Sequence, residues 1–273
     1  MTRPPYNFYR NEQITELKEY CQKTGKVFEK ELALLDLKES LDLLTASLHI
    51  GEGDKNGLEA LSYNIANTIM TDFVIKKGNV HIELLETEFY FFNKDHNDCT
   101  TYVRDMDSGR FFFHASGVDI TFKSNIERNE KGKIIAESST YGGLLIRSLR
   151  KKNQDNTWEY VLGPHKCVDY LWDSFNALSN DVNDYPILEF NPIKDAEIVA
   201  EPRHIPIKED KKEEKLRTLN SVFETPQTTP DEFEAFLGLN YRFVRNGINI
   251  DSTALKTYSG RQPSPCPKKW QMN

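Results

Sequence analysis

The sequence predicts an α+β protein, a single domain built on a curved, mostly antiparallel sheet flanked by helices. Three observations carry this. Strand-like apolar runs cluster between residues 73 and 207. Turn residues such as Lys77-Gly-Asn79 join neighbouring runs closely enough for hairpins. Leucine-rich segments at near-helical spacing come before them.

Residues 11–24 and 28–47 read as helices. In the second, Leu32, Leu34, Leu35, Leu37, Leu41, Leu43 and Leu44 recur at close to helical spacing, and Gly51 and Gly53 end it. Residues 58–71 make a third helix. Phe73 to Lys76 and Val80 to Phe92 are strands around the Lys77-Gly-Asn79 turn. Residues 93–109 are polar and loop-like. Arg110 to Phe113 and Val118 to Phe122 are strands, 125–133 is a charged turn and 134–136 a short strand. Leu144 to Leu149 and Trp158 to Leu162 are strands, and Cys167 to Leu178 a helix. Residues 181–192 are loop with a short strand, and 198–207 a strand interrupted by Pro202 and Pro206. Residues 209–220 are a charged segment, either helical or mobile, 231–237 a short helix and 241–244 a short strand. The tail from Tyr258 is rich in Pro, Ser and Lys, and no internal repeat is visible.

The 273 residues suffice for a sizeable core. No apolar run approaches the roughly 20 residues needed to span a bilayer. No membrane partner is therefore expected, and Met1-Thr-Arg-Pro-Pro has no apolar signal core, so secretion by that route is not expected. Cys21, Cys99, Cys167 and Cys266 are scattered without CxxC spacing. This argues against structural zinc and a disulfide framework, and a cytoplasmic location is expected. His96, His114 and His165 lack ligand spacing such as HExxH, so neither a metal nor another cofactor is expected.

The net charge of −7 argues against indiscriminate nucleic-acid binding, but its distribution is uneven. Lys123 to Lys152 holds eight basic and three acidic residues, whereas Asp195 to Glu234 holds eleven acidic and six basic. A basic surface on an acidic protein can still bind phosphates.

The chemistry concentrates at Glu86-Thr-Glu-Phe-Tyr90, which closes the apolar run from Val80 to Leu85. Period-two alternation puts Glu86 and Glu88 on one side of that strand. A carboxylate there is costly unless paired or working. Arg147 places a cation inside another apolar run, Leu144-Leu-Ile-Arg147. One acid and one base on separate strands point to a site.

The order of these motifs resembles the alkyladenine (3-methyladenine) DNA glycosylase family. Ile65-Ala-Asn-Thr-Ile-Met-Thr-Asp-Phe-Val is similar to its lead-in helix and strand, and Glu86-Thr-Glu-Phe-Tyr90 to its Glu-Thr-Glu-Ala-Tyr. Gly109-Arg-Phe-Phe-Phe-His114, Leu144-Leu-Ile-Arg-Ser-Leu149 and Gly163-Pro-His-Lys166 follow in the family's order. Ala200-Glu-Pro-Arg-His-Ile-Pro206 and Asn240-Tyr-Arg-Phe-Val244 look like its late strands. The likeness spans roughly 60–247, which sets a helical extension over 1–56, a glycosylase-like domain over 57–257 and a tail over 258–273.

The resemblance implies a monofunctional DNA glycosylase acting on DNA that contains a modified base, as a monomer. Glu88 would be the general base for water and Arg147 its positioner. Tyr90, His114, His96 and Lys123 would form the base pocket, Lys123 or Ser124 standing near the family's pocket asparagine. Arg110, Arg150, Lys151 and Lys152 would contact DNA. The small Ser116 stands near the family's duplex wedge. Residues 1–56 would offer a surface for a protein partner. Two alternatives stay open: a binding module without the chemistry, and an N-glycosidase acting on a nucleotide or RNA. Each side chain also has a plain structural reading, such as a solvent-facing strand for the glutamates, a core aromatic for Tyr90 and a solvated turn for Arg150-Lys-Lys152.

Overall fold

Three helices lead the chain: α1 (Tyr6–Thr24), α2 (Phe28–Ala46) and α3 (Lys55–Asp72). Leu58, Ile65, Ala66, Ile69 and Met70 recur at helical spacing along α3, and all are buried. This stripe packs on one face of a sheet. The computed structural model describes residues 6–46, 55–173, 185–203, 205 and 207–248.

The described strands form one ten-stranded, curled antiparallel sheet. They are β1 (Phe73–Lys77), β2 (Val80–Asn93), β3 (His96–Asn97), β4 (Phe111–His114), β5 (Gly117–Thr121), β6 (Tyr141–Lys152), β7 (Trp158–Leu162), β8 (Ile187–Phe190), β9 (Ile198–Glu201) and β10 (Arg242–Arg245). Three further helices, α4 (Pro164–Leu171), α5 (Lys212–Asn220) and α6 (Pro230–Leu237), complete the α+β architecture. Two long strands, β2 and β6, pair along most of their length and form the spine. Along its other edge β2 meets β1, β10 and β3 in succession. On the far edge of β6, β5 is followed by β7.

The spine carries two single-residue bulges at one level. Leu84 faces Leu149, Glu86 faces Ser148 and Thr87 faces Ile146, so Leu85 is the extra residue on β2 and Arg147 the extra residue on β6. A bulge breaks strict alternation. On β2 the core face therefore passes from Ile82 and Leu84 to Phe89 and Phe91, from even to odd numbers. On β6 it passes from Leu144 and Ile146 to Leu149. Arg245 on β10 donates to the Leu84 carbonyl beside the bulge and to the Met70 carbonyl at the end of α3.

The main core lies between this face and α2, α3 and α4. Phe73, Phe89, Phe91, Phe122 and Phe243 are all under 2% exposed. Burial of each stabilises by about 1.5–3 kcal/mol. A second cluster, including Phe92, Tyr141, Phe223 and Phe233, lies where β2 and β6 meet α5 and α6.

The structure departs from the expectations in several places. Leu37 and Leu41 of α2 belong to the main core, and Leu41 offers its carbonyl to the Lys123 amide. Residues 28–46 are thus part of the domain rather than an extension beside it. The strand expected from Leu144 begins at Tyr141, because Gly142 and Gly143 have no side chains to show a pattern. A Cβ on Gly142 would lie 2.5 Å from the Tyr90 carbonyl oxygen, so the close approach of the strands requires glycine there. Residues 134–136 make no strand: Ile134 forms only isolated bridges to Arg128 and Phe223, and a 3₁₀ turn follows at Ala136–Ser138. The helix expected from Cys167 starts at Pro164, whose fixed φ suits the first turn. The helix ends at Leu171, where Trp172 leaves the helical conformation as the C-cap, short of the expected Leu178; residues 174–178, the Gly51 and Gly53 break and the 258–273 tail lie outside the described residues.

Candidate functional site

The face of the spine opposite the main core carries charge. Glu88 faces Leu145 of β6 and Arg242 of β10, and its side chain is fully buried. Its Oε1 lies 2.9 Å from Arg147 Nη1, and its Oε2 accepts a hydrogen bond from the Tyr90 hydroxyl at 2.7 Å. Arg147 reaches both glutamates because the bulge turns it toward them. Its Nε lies 3.1 Å from Glu86 Oε1, off the line of a good hydrogen bond and so an ion pair. Glu86 Oε1 also receives Arg242 Nε at 2.6 Å, and Glu86 Oε2 the Ser148 hydroxyl at 2.7 Å. Arg242 reaches on to Glu201 at 3.1 Å. Charges alternate across four strands, β9, β10, β2 and β6: Glu201, Arg242, Glu86, Arg147, Glu88.

Burial opposes the Arg147 charge, but the Glu88 and Glu86 carboxylates outweigh it and raise its pKa. Burial, reinforced by the Glu88 charge, holds the Tyr90 phenol well above its ordinary pKa, so it stays a donor. Arg203 stacks its guanidinium 4.8 Å from the Tyr90 ring centre and pairs with Asp98 at 2.7 Å.

Tyr90 is also a wall of a cavity of about 390 Å³. This is within the size range of small-molecule pockets. His114, Tyr102, Asp119 and Tyr141 line it too, with an apolar side from Ile205, Ile207 and Phe223. His114 Nδ1 accepts the Ser116 amide at 3.2 Å, so Nε2 carries the proton shared with Asp119 at 2.9 Å. The Tyr102 ring lies 4.4 Å from that imidazole. Asp119 also pairs with Arg104, whose guanidinium sits over the Phe112 ring at 4.6 Å.

The structure brings Glu88, Arg147, Tyr90 and His114 to this face. It does not bring His96 there: the His96 ring packs among Phe91, Phe236 and Tyr241. Lys123 is also elsewhere, exposed beside the end of α2, where its charge helps to lower the Asp42 pKa. The basic residues expected at DNA divide. Arg150 is held by Glu83 at 2.6 Å and stacks on Trp158 at 3.9 Å. Lys151 pairs with Glu159 at 3.2 Å and lies over the Tyr170 ring, with α4. Arg110 and Lys152 are exposed.

Sequence reasoning missed Arg242, Arg203, Asp98, Arg104 and Asp119. The signal that singled out Arg147, a charge within an apolar run, also marks Asp119 in Val118 to Phe122 and Arg242 in Tyr241 to Val244. Asp98 and Arg104 lie in the polar 93–109 segment, where no such contrast exists. Among the described residues no cluster of three or more His, Cys, Asp or Glu could hold a metal ion, and no helix is long and apolar enough to cross a membrane. No family model, curated protein or solved structure matches this chain.

Proposed function

We propose that the protein is an N-glycosidase that holds a modified nucleobase in the cavity and hydrolyses its bond to the sugar. The resemblance of its motifs to those of alkyladenine DNA glycosylases supports the same reading. One observation carries it: Tyr90 belongs to both the cavity and the charged cluster, being a wall of the first and a hydrogen-bond donor to Glu88. In this reading a flat ring lies between Tyr90 and His114, and its bond to the sugar is turned toward the Glu88 carboxylate to which the Tyr90 hydroxyl donates. Glu88 then takes a proton from water as the oxygen adds to the anomeric carbon, and the electron pair of the broken C–N bond leaves with the base. Arg147 holds Glu88 at a fixed angle, and its part-exposed edge suits an adjacent phosphate.

A base-release assay tests this. The protein and its Glu88→Gln variant are incubated with oligonucleotides bearing alkylated, deaminated or hypermodified bases, and abasic sites are read by alkaline cleavage. Release by the wild type and a loss of at least 100-fold in the variant are expected, since general-base catalysis contributes typically ~10²–10⁴-fold. Binding without release by either form would instead support a non-catalytic module.

One observation favours a second reading of the substrate. The turn joining β4 to β5 carries only Ala115 and Ser116, and Ser116 Oγ lies 3.1 Å from Tyr102 Oη. Such a turn has no bulky wedge to lever a base from a duplex, which suits a single strand, RNA or a nucleotide. Competition by duplex, single strand and nucleotide distinguishes these.

A further inference from the structure

The cavity is larger than a flat ring needs. At about 390 Å³ it belongs to the size class that encloses a drug-sized ligand, and a bare nucleobase is much smaller than such a ligand. Its walls are of two kinds. The sheet supplies Tyr90, His114 and Asp119, with Tyr102 against the His114 ring. The walls from outside the sheet are largely aliphatic: Val103, Ile205, Ile207, Leu219 and Val222. A polar ring is served by the first kind, whereas the second rewards burial of apolar surface.

The aliphatic side is continuous and firmly held. Val103, Ile207 and Leu219 pack against the second core cluster, yet all three stay half-buried and give part of their surface to the cavity. Val222 is 37% exposed. Lys215, Thr218 and Leu219 stand at i, i+3 and i+4 on α5, so one face of that helix is a cavity wall, and Val222 follows just past its end. The Asn220 side chain accepts the Gln227 and Thr228 amides at 3.1 Å and donates to the Thr228 carbonyl at 2.8 Å. The Val222 carbonyl accepts the Ile134 amide at 2.9 Å, and the next ring, Phe223, stacks on Phe92 at 4.8 Å. A wall anchored in this way cannot close onto a bare ring, so a larger occupant gains the contacts. The Tyr90 hydroxyl, bonded to Glu88, marks the sugar end of the ring. The edge remote from the sugar, at C6 of a purine, is then left for the aliphatic walls.

We propose that the aliphatic side of the cavity, between α5 and Ile205 and Ile207, is a subsite for a bulky apolar substituent on the base. The substrate class is then a base enlarged at the edge remote from its sugar. This deepens the nucleobase reading above and rests on it.

The test is binding, so it does not depend on cleavage. Adenine, N6-benzyladenine and benzyl alcohol are titrated by calorimetry. N6-benzyladenine is expected to bind about ten- to a hundredfold more tightly than adenine, the gain from burying one large apolar group. Thr218→Trp, which lays an indole along the cavity face of α5, should abolish that gain. Leu219→Ala, which removes part of the wall, should reduce it severalfold. Both should leave adenine binding unchanged, and because Thr218 is exposed its replacement should fold. Equal binding of adenine and N6-benzyladenine, or a gain untouched by both variants, overturns the subsite while leaving the nucleobase pocket standing. Loss of adenine binding in both variants also overturns it, since α5 would then border the ring itself. Absence of binding by either base, or binding of benzyl alcohol as tight as that of N6-benzyladenine, overturns the nucleobase reading and this subsite with it.

Discussion

Replacing Arg147 by leucine tests whether the charged cluster is a coupled unit. Arg147 is the common partner of Glu86 and Glu88, at 3.1 and 2.9 Å. Glu86 keeps Arg242 and Ser148 after the substitution, so most of the cost falls on Glu88. The Glu88 side chain is fully buried and that of Arg147 is 21% exposed. Removing one partner of a buried pair typically costs ~3–5 kcal/mol, and the partial exposure of Arg147 places this case near ~3 kcal/mol. For a domain of this size that corresponds to a fall of about 6–12 °C in melting temperature. Urea unfolding followed by circular dichroism, with an unchanged m-value, measures it. Adding Glu88→Gln should restore about 2 kcal/mol, because the buried charge is gone while an amide can still accept from Tyr90. Arg147→Lys should fall between, since an ammonium cannot fork to two carboxylates. A cost below about 1 kcal/mol for Arg147→Leu, or a strictly additive double variant, would refute the coupling.

Two further predictions concern the frame around the site. Burial pushes the Glu189 carboxyl up, but hydrogen bonds from Lys76 and Lys30 bring its pKa below the ordinary value. Its contribution is therefore present above the unfolded pKa of ~4.3 and lost as pH falls through the depressed folded value. Glu189→Gln should cost under ~1 kcal/mol at neutral pH, a difference that vanishes once pH falls below the depressed folded value and shrinks in high salt; a difference that grows in acid would contradict this. Gly143→Ala should destabilise by ~1–3 kcal/mol, because the added methyl meets both Arg104 and the Asp119 Cβ. An unchanged urea midpoint for that variant would mean Arg104 does not occupy the space over the glycine.

The sequence made much of the fold legible where side chains carry a period. The α3 stripe, the Lys77-Gly-Asn79 hairpin and the long strand through Phe92 are all of this kind. Legibility failed where the evidence lies in the backbone or in distant partners. Gly142 and Gly143 hid the start of β6, and Ile134 resembled a strand residue but finds only isolated bridges. At the site, Glu88, Tyr90 and Arg147 stood out as charged or polar groups closing apolar runs. His96 lies only three residues beyond Asn93 at the end of β2, yet the short β2–β3 hairpin folds its ring among Phe91, Phe236 and Tyr241. No local pattern reports such a reversal. Lys123 shows the same limit, since two residues past Thr121 the chain has already left the sheet for α2.

The bulges explain why the acids and the base meet. With strict alternation along both strands, the core face would keep one parity throughout, and charged and apolar side chains would exchange faces on one side of the site. The extra residues Leu85 and Arg147 shift parity in both strands at the same level, so each remains apolar toward the helices above and below it. Arg147, being the extra residue itself, is released from the regular ladder and can reach back to both glutamates. The charged cluster is thereby internally paired, whereas the cavity beside it retains buried hydroxyls with no partner among the described residues. If the proposed hydrolysis takes place here, paired charges held on strands would need little rearrangement when it begins. Buried hydroxyls without a partner are costly, and a ligand that satisfied them would recover that cost on binding. Tyr90, shared by both regions, is where filling the cavity would be felt by Glu88.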